Sequence, residues 1–184
     1  MIGLLFDRNV FKVLTLFSLS PGSKFKRNEI KEKILLNNVP LDKCLGIMVC
    51  AGILKKDRKI YSLNFESEYQ QQIIGVVSKE YKYFREIPLK IYFLLYDFIS
   101  EIKIDGELFL FGSYAKLIYK EGSDVDIAFV GNNPDKKQVN KIITKLEKKY
   151  DSVIEIHYFG KDEFYNCKKD PLVSDIMRNG VKIS

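Results

Sequence analysis

The chain has 184 residues, of which 46% are hydrophobic and 29% charged, and its formal charge is +6. That length suits one ordinary domain or two small ones, and the composition excludes disordered, collagen-like and membrane-embedded chains. The charge is uneven: residues 1–66 hold 12 Lys+Arg against 6 Asp+Glu, whereas residues 67–184 hold 18 against 18, so a basic module facing a polyanion is expected ahead of a charge-balanced one.

The opening Met1, Ile2, Gly3, Leu4, Leu5 and Phe6 carry no basic leader region and run into Asp7 and Arg8, so neither a secretory signal nor an anchor is expected. Val10, Val13, Leu14, Leu16 and Phe17 recur at helical spacing, and Ser20, Pro21, Gly22 and Ser23 end the run. A second helix is expected over 28–37, capped by Asn28 with Ile30, Ile34 and Leu35 inward, and a third from Pro40 to Gly52. Ile53 and Leu54, a charged turn over 55–59 and an apolar run over 60–63 then read as a hairpin. The three cysteines Cys44, Cys50 and Cys167 show no CxxC spacing and are expected to be reduced core thiols.

Three helices followed by a basic hairpin resemble a winged helix-turn-helix domain over residues 1–66. Lys55, Lys56, Arg58 and Lys59 are then candidates for gripping nucleic-acid phosphates, and Lys24, Lys26, Arg27, Lys31 and Lys33 make the second helix equally basic. The candidate recognition helix over 41–50 exposes little beyond Asp42 and Lys43 and lacks the Arg, Asn and Gln that read base edges. Non-specific nucleic-acid contact, a homodimer and docking of a partner protein therefore stay open for this surface.

Residues 67–103 are expected to form a helical connector. Tyr69, Ile73, Val76, Val77, Glu80 and Phe84 give one amphipathic stretch, and Pro88 opens another with Ile91, Leu94, Leu95, Phe98, Ile99 and Ile102. No Gly/Ser-rich linker intervenes, so domains packed together are expected. The longest apolar run, 91–96, is cut by Asp97, far short of the roughly 20 residues that span a bilayer, so a cytoplasmic protein is expected. Over 104–184 a strand at 108–111, a turn at Gly112 and Ser113, a helix at 114–119, a strand at 125–130, a polar helix at 135–150, a strand at 153–159 and a helix from Pro171 to Gly180 alternate. The implied class is α+β, a small mixed sheet flanked by helices.

Strand alternation sets Asp124 and Asp126 on one face, with Val125 and Ile127 toward the core. Two like charges about 4 Å apart at an effective dielectric near 20 repel by about 4 kcal/mol, which a bound Mg²⁺ would offset. Glu155, flanked by Ile154 and Ile156 in the next strand, reads as a third acid that needs such a partner. Gly112 and Ser113, where a strand turns into a helix, suit close approach of a phosphate, and Lys116 and Lys120 follow as candidates to steady it. A phosphate cradle beside a carboxylate cluster is what metal-assisted nucleotidyl transfer requires. His157 shares a strand face with Glu155, with ordinary packing as its expected role.

Phe111-Gly112-Ser113-Tyr114-Ala115, followed by Ser123-Asp124-Val125-Asp126-Ile127, resembles the signature of the polymerase-β-like nucleotidyltransferase superfamily, in its minimal branch, over residues 107–180. The resemblance implies that Gly112 and Ser113, with Lys116 beside them, bind the phosphates of a nucleoside triphosphate. It also implies that Asp124 and Asp126 ligate two Mg²⁺ ions, with Glu155 as the third metal-binding and catalytic acid. By the same resemblance AMP passes from ATP to a hydroxyl acceptor, and HEPN-type toxins are the partner proteins of the branch. Two positions depart from the pattern: Lys116 and Leu117 stand where a small residue, usually glycine, follows, and Glu155 stands where aspartate is usual. The alternative is a winged-helix DNA-binding regulator whose nucleotide site is weak or inactive.

Overall fold

The computed structural model describes residues 7–81, 86–102, 105–132, 134–166 and 170–184, and the chain divides into two compact units, Met1–Arg85 and Glu86–Ser184. The expected connector over 67–103 is shared between them and forms no body of its own. Phe84, Cys167 and Lys103 lie outside the described residues.

The first unit begins with α1 (Arg8–Leu19), started by the Asp7 carboxylate, which accepts from the backbone N–H groups of Asn9 and Val10 at 2.8 and 3.2 Å. Val10, Val13, Leu14 and Phe17 bury one stripe of it. A two-residue strand β1 (Phe25–Lys26) follows, with the Phe25 ring edge-on to Phe17 at 5.3 Å. It leads into α2 (Arg27–Ile34) and α3 (Asn38–Cys50). Lys26, not Asn28, precedes the second helix, and its N–H donates to Glu29 Oε2 at 2.5 Å. The third helix starts two residues ahead of Pro40, which occupies its first turn. Cys44 is buried, and burial pushes its thiol up to about 11. Cys50 is exposed, against expectation, because it falls on the outer side of the last turn of α3.

The hairpin is β2 (Leu54–Asp57) and β3 (Ile60–Leu63), and the antiparallel sheet runs β1-β3-β2. Lys55 and Lys56 thus lie in a strand rather than a turn, and Arg58 and Lys59 alone form the loop. Helix α4 (Gln70–Tyr81) packs on α1 and buries Ile74 and Val77; Tyr69 and Val76, expected on that face, are exposed.

The second unit comprises α5 (Leu89–Glu101), β4 (Gly106–Phe111), the single turn α6 (Gly112–Ala115), β5 (Val125–Gly131), α7 (Lys136–Tyr150), β6 (Ile154–Phe159), α8 (Lys161–Asn166), α9 (Pro171–Asn179) and β7 (Val181–Lys182). Its sheet runs β6-β5-β4-β7, with β5 and β6 parallel and the other pairs antiparallel, the small mixed sheet expected. Leu108, Leu110, Ile127 and Phe129 occupy one face, each at most 1% exposed. On the other, Phe111, Ala128 and Val130 pack against Phe164 of α8 and Val173 and Ile176 of α9. Among the described residues no helix is long and apolar enough to cross a membrane.

Helices α5 and α7 are tied by a buried carboxylate. Asp97, 1% exposed, accepts from Tyr150 Oη at 2.6 Å and from Lys149 Nζ at 2.8 Å. The Lys-rich face of α7 is therefore not purely solvated, since Lys149 reaches inward and Lys145 pairs with Glu101 at 2.8 Å. A hydrogen bond to a charged group contributes about 1.5–3 kcal/mol. Tyr150→Phe is expected to destabilise the protein by that amount, read as a lower urea midpoint at unchanged m-value.

Candidate functional site

The site is built on strand register. Asp126 in β5 lies opposite Phe111, the last residue of β4, on one side and opposite Glu155 of β6 on the other. Pairing with period two puts all three side chains on one face, and the chain then leaves β4 through Gly112. That residue has φ +68°, and a Cβ on it would fall 1.9 Å from Asp126 Oδ2. Glycine is required twice over, for the left-handed backbone and for the carboxylate against it. The Ser113 backbone lies close enough to that same carboxylate to favour its charged form, so the turn after β4 packs directly against the acid.

The Asp126 carboxyl is pushed above its ordinary value, first by burial and then by the negative charges of Glu155 and Asp124; His157 and the Ser113 N–H oppose the shift. A half-buried acid facing two further acids is a site short of positive charge. Asp124 lies exposed just before β5 begins. Glu155 is also exposed, 57% by side chain, and meets His157 Nε2 at 3.0 Å. It does not sit at the centre of a buried strand, because β6 is the outer strand of the sheet. The His157 ring stands edge-on to Phe111 at 5.4 Å, so it packs and also partners Glu155.

The three acids do not converge into a ready-made cage. Among the described residues no group of three His, Cys, Asp or Glu side chains is placed to hold a metal ion. Mg²⁺, however, is commonly bound through one or two carboxylates, with water and substrate phosphates completing its shell. Asp126 and Asp124, two hard oxygen donors whose charges already repel, fit that mode.

The segment after the turn differs from expectation. The helix expected over 114–119 is the single turn Gly112–Ala115, closed by Ile118 N–H donating to Ser113 O at 3.0 Å. It stops because Leu117 is left-handed, φ +59°, a conformation that glycine adopts without the strain a branched side chain incurs. The small residue usual near this position in the resembled family thus has a backbone reason, and Leu117, 46% exposed, stands in its place. Tyr114 and Tyr119 stack at 4.7 Å, and Tyr119 Oη donates to Glu86 O at 2.9 Å, fixing the loop that leads to Asp124.

Lys116 points to α9, where its Nζ lies 2.8 Å from Asp175 Oδ2. Lys116, and with it Asn179, holds the Asp175 carboxyl below the usual range. No spacing in the sequence announces Asp175; the one hint was a lysine beside the site in need of a counter-charge. In the first unit Lys56, Arg58 and Lys59 gather around one concavity with Lys26 and Arg27, but Lys55 pairs with Glu66 at 2.7 Å instead.

Residues 94–183 match the family model of the nucleotidyltransferase domain. The match runs from within α5 to β7 and contains Gly112, Ser113, Asp124, Asp126 and Glu155, so the second unit is similar to a nucleotidyltransferase domain, which supports nucleotidyl transfer in general. No curated protein matches the chain.

Gly112 and Gly122 separate conformation from contact, because both have positive φ but an added Cβ at Gly122 meets nothing within 4 Å. Gly122→Ala is expected to cost about 1–2 kcal/mol for the left-handed backbone alone. Gly112→Ala should lower thermal stability further and displace Asp126. Equal melting temperatures for the two variants would contradict the close packing of Asp126 on Gly112.

Proposed function

We propose that the chain is a Mg²⁺-dependent nucleotidyltransferase that passes AMP from ATP to a hydroxyl acceptor on a partner protein, with HEPN-type toxins as the class of partner. The observation that carries this reading is the placement of Asp126, pressed against Gly112 and in register with Glu155. It brings a turn able to admit phosphates and a cluster short of positive charge to the same end of the sheet.

Asp124 and Asp126 would hold the metal, which when bound neutralises phosphate charge and lowers the pKa of a coordinated hydroxyl. Gly112, having no side chain, leaves the phosphate path open, and the Ser113 hydroxyl supplies a donor. Lys116 sits one residue beyond the turn; leaving Asp175 for a phosphate oxygen would exchange one exposed ion pair for another, a small change in free energy. Glu155 orients the acceptor hydroxyl and takes its proton, and His157, bonded to Glu155, fixes that carboxylate's direction. The acceptor oxygen forms a bond to the α-phosphorus, and the bond from that phosphorus to the bridging oxygen of pyrophosphate breaks.

The first unit is proposed to be a winged helix-turn-helix-like module. The order α1-β1-α2-α3-β2-β3 and the strand order β1-β3-β2 support this.

Incubation with ATP labelled at the α-phosphate, Mg²⁺ and co-expressed partner protein is expected to label the partner. Asp126→Asn should lower labelling by about 10²-fold or more, since even groups that only support metal ligands are worth 10–100-fold. Labelling unaffected by Asp126→Asn would overturn the assignment.

A further inference from the structure

We infer that the first unit grips the phosphodiester backbone of nucleic acid in the groove between the start of α2 and the β2–β3 hairpin, without reading base sequence, and not on the exposed side of α3. The groove is a concavity of about 480 Å³ whose lining includes Lys26, Arg27, Lys56, Arg58, Lys59 and Tyr61. This inference stands apart from the transfer site and survives if that reading fails.

Charge pairing singles out the groove. Arg27 is engaged, its Nε 2.6 Å and its Nη2 2.9 Å from the Asp42 carboxylate, which ties α2 to α3. Among the described residues the other four cations make no ion pair. Glu29, the acid on the rim, turns one oxygen to the Lys26 N–H at the start of α2. Strand alternation sorts the hairpin lysines. Lys56, opposite Tyr61, lies 5.5 Å over that ring at the groove, while Lys55, opposite Ser62, turns away to Glu66. Arg58 takes the left-handed position of the hairpin loop, φ +53°, where glycine or asparagine would sit without strain. Four like charges crowded around one lining acid, Glu29, with Asp42 already engaged by Arg27, repel, and a polyanion relieves them.

The chemistry of the lining selects the polyanion. Protein interfaces are depleted in lysine and centre on accessible aromatic or apolar anchors. Here three of the five cations are lysines, and Tyr61, the aromatic of the lining, is only 7% exposed. Phosphate contacts need only reach and charge. Helix α3 offers far less, because Asp42 is bound to Arg27, Asn38 Oδ1 accepts from Arg27 at 3.2 Å, and the 81% exposed Val39 is apolar.

The test is fluorescence anisotropy of the full chain with labelled duplexes of two unrelated sequences, as DNA and as RNA, across a salt series. Equal affinity for the two sequences is expected on at least one of the nucleic acids. On DNA, log K should fall with log salt with a slope of about −4, near 0.9 per phosphate contacted. Replacing Lys26, Lys56, Arg58 and Lys59 together by Ala should remove most of that slope, while Lys55→Ala and Lys43→Ala leave it unchanged. All six side chains named are on the surface, and far-UV circular dichroism checks that the variants fold. No binding to either nucleic acid at low salt, binding undiminished in the fourfold variant, sequence preference lost with Lys43→Ala, or equal binding of polyglutamate would each overturn the inference.

Discussion

The carboxylate of Asp126 lies between the turn that leaves β4 and the neighbouring strand β6, and its position dictates what the surrounding backbone can be. It leaves no room for a Cβ on Gly112 and lies against the backbone of Ser113. Burial and the facing acids make it costly to ionise, and a structural role alone would be met more cheaply by an uncharged side chain. An acid under those conditions supports the proposed cation, and the turn packed against it is the one proposed to receive that cation's phosphate partner.

The two units handle charge in opposite ways. In the second, charged groups pair within the unit: Asp97 with Lys149, Glu101 with Lys145, Asp175 with Lys116, and Glu107 with Lys182 and Tyr165. Against that background the acids Asp124, Asp126 and Glu155 gather at one end of the sheet. In the first, Asp42 and Glu66 each engage one cation, and Lys26, Lys56, Arg58 and Lys59 gather beside the hairpin. The neutral sum of residues 67–184 therefore conceals a local cluster of acids, and five of the twelve Lys+Arg of residues 1–66 line one groove.

Much of this was legible because periodicity is local. The apolar spacing of residues 10–17 and the alternation through Val125 and Ile127 gave the elements, and period two was enough to turn Asp126 away from the face that Ile127 and Phe129 bury. Three kinds of feature escaped. Elements too short to show a period, β1, β7 and α8, left no pattern. Pairing across distance left none either: nothing near Lys149 announces Asp97, 52 residues earlier. Strand order was the third, since flanking isoleucines made Glu155 look central, while the sheet places β6 at its edge. Leu117 shows the reverse case, in which the small residue usual in the resembled family becomes intelligible once the backbone at Leu117 is seen to be left-handed.

Phosphate and cation are proposed to meet at Asp126, and calorimetric titration of the full chain with a non-hydrolysable ATP analogue tests this without any acceptor. Binding is predicted to require Mg²⁺ and to disappear in Asp126→Asn when Mg²⁺ is present. Binding of equal strength with and without Mg²⁺, or unchanged in Asp126→Asn, would contradict it.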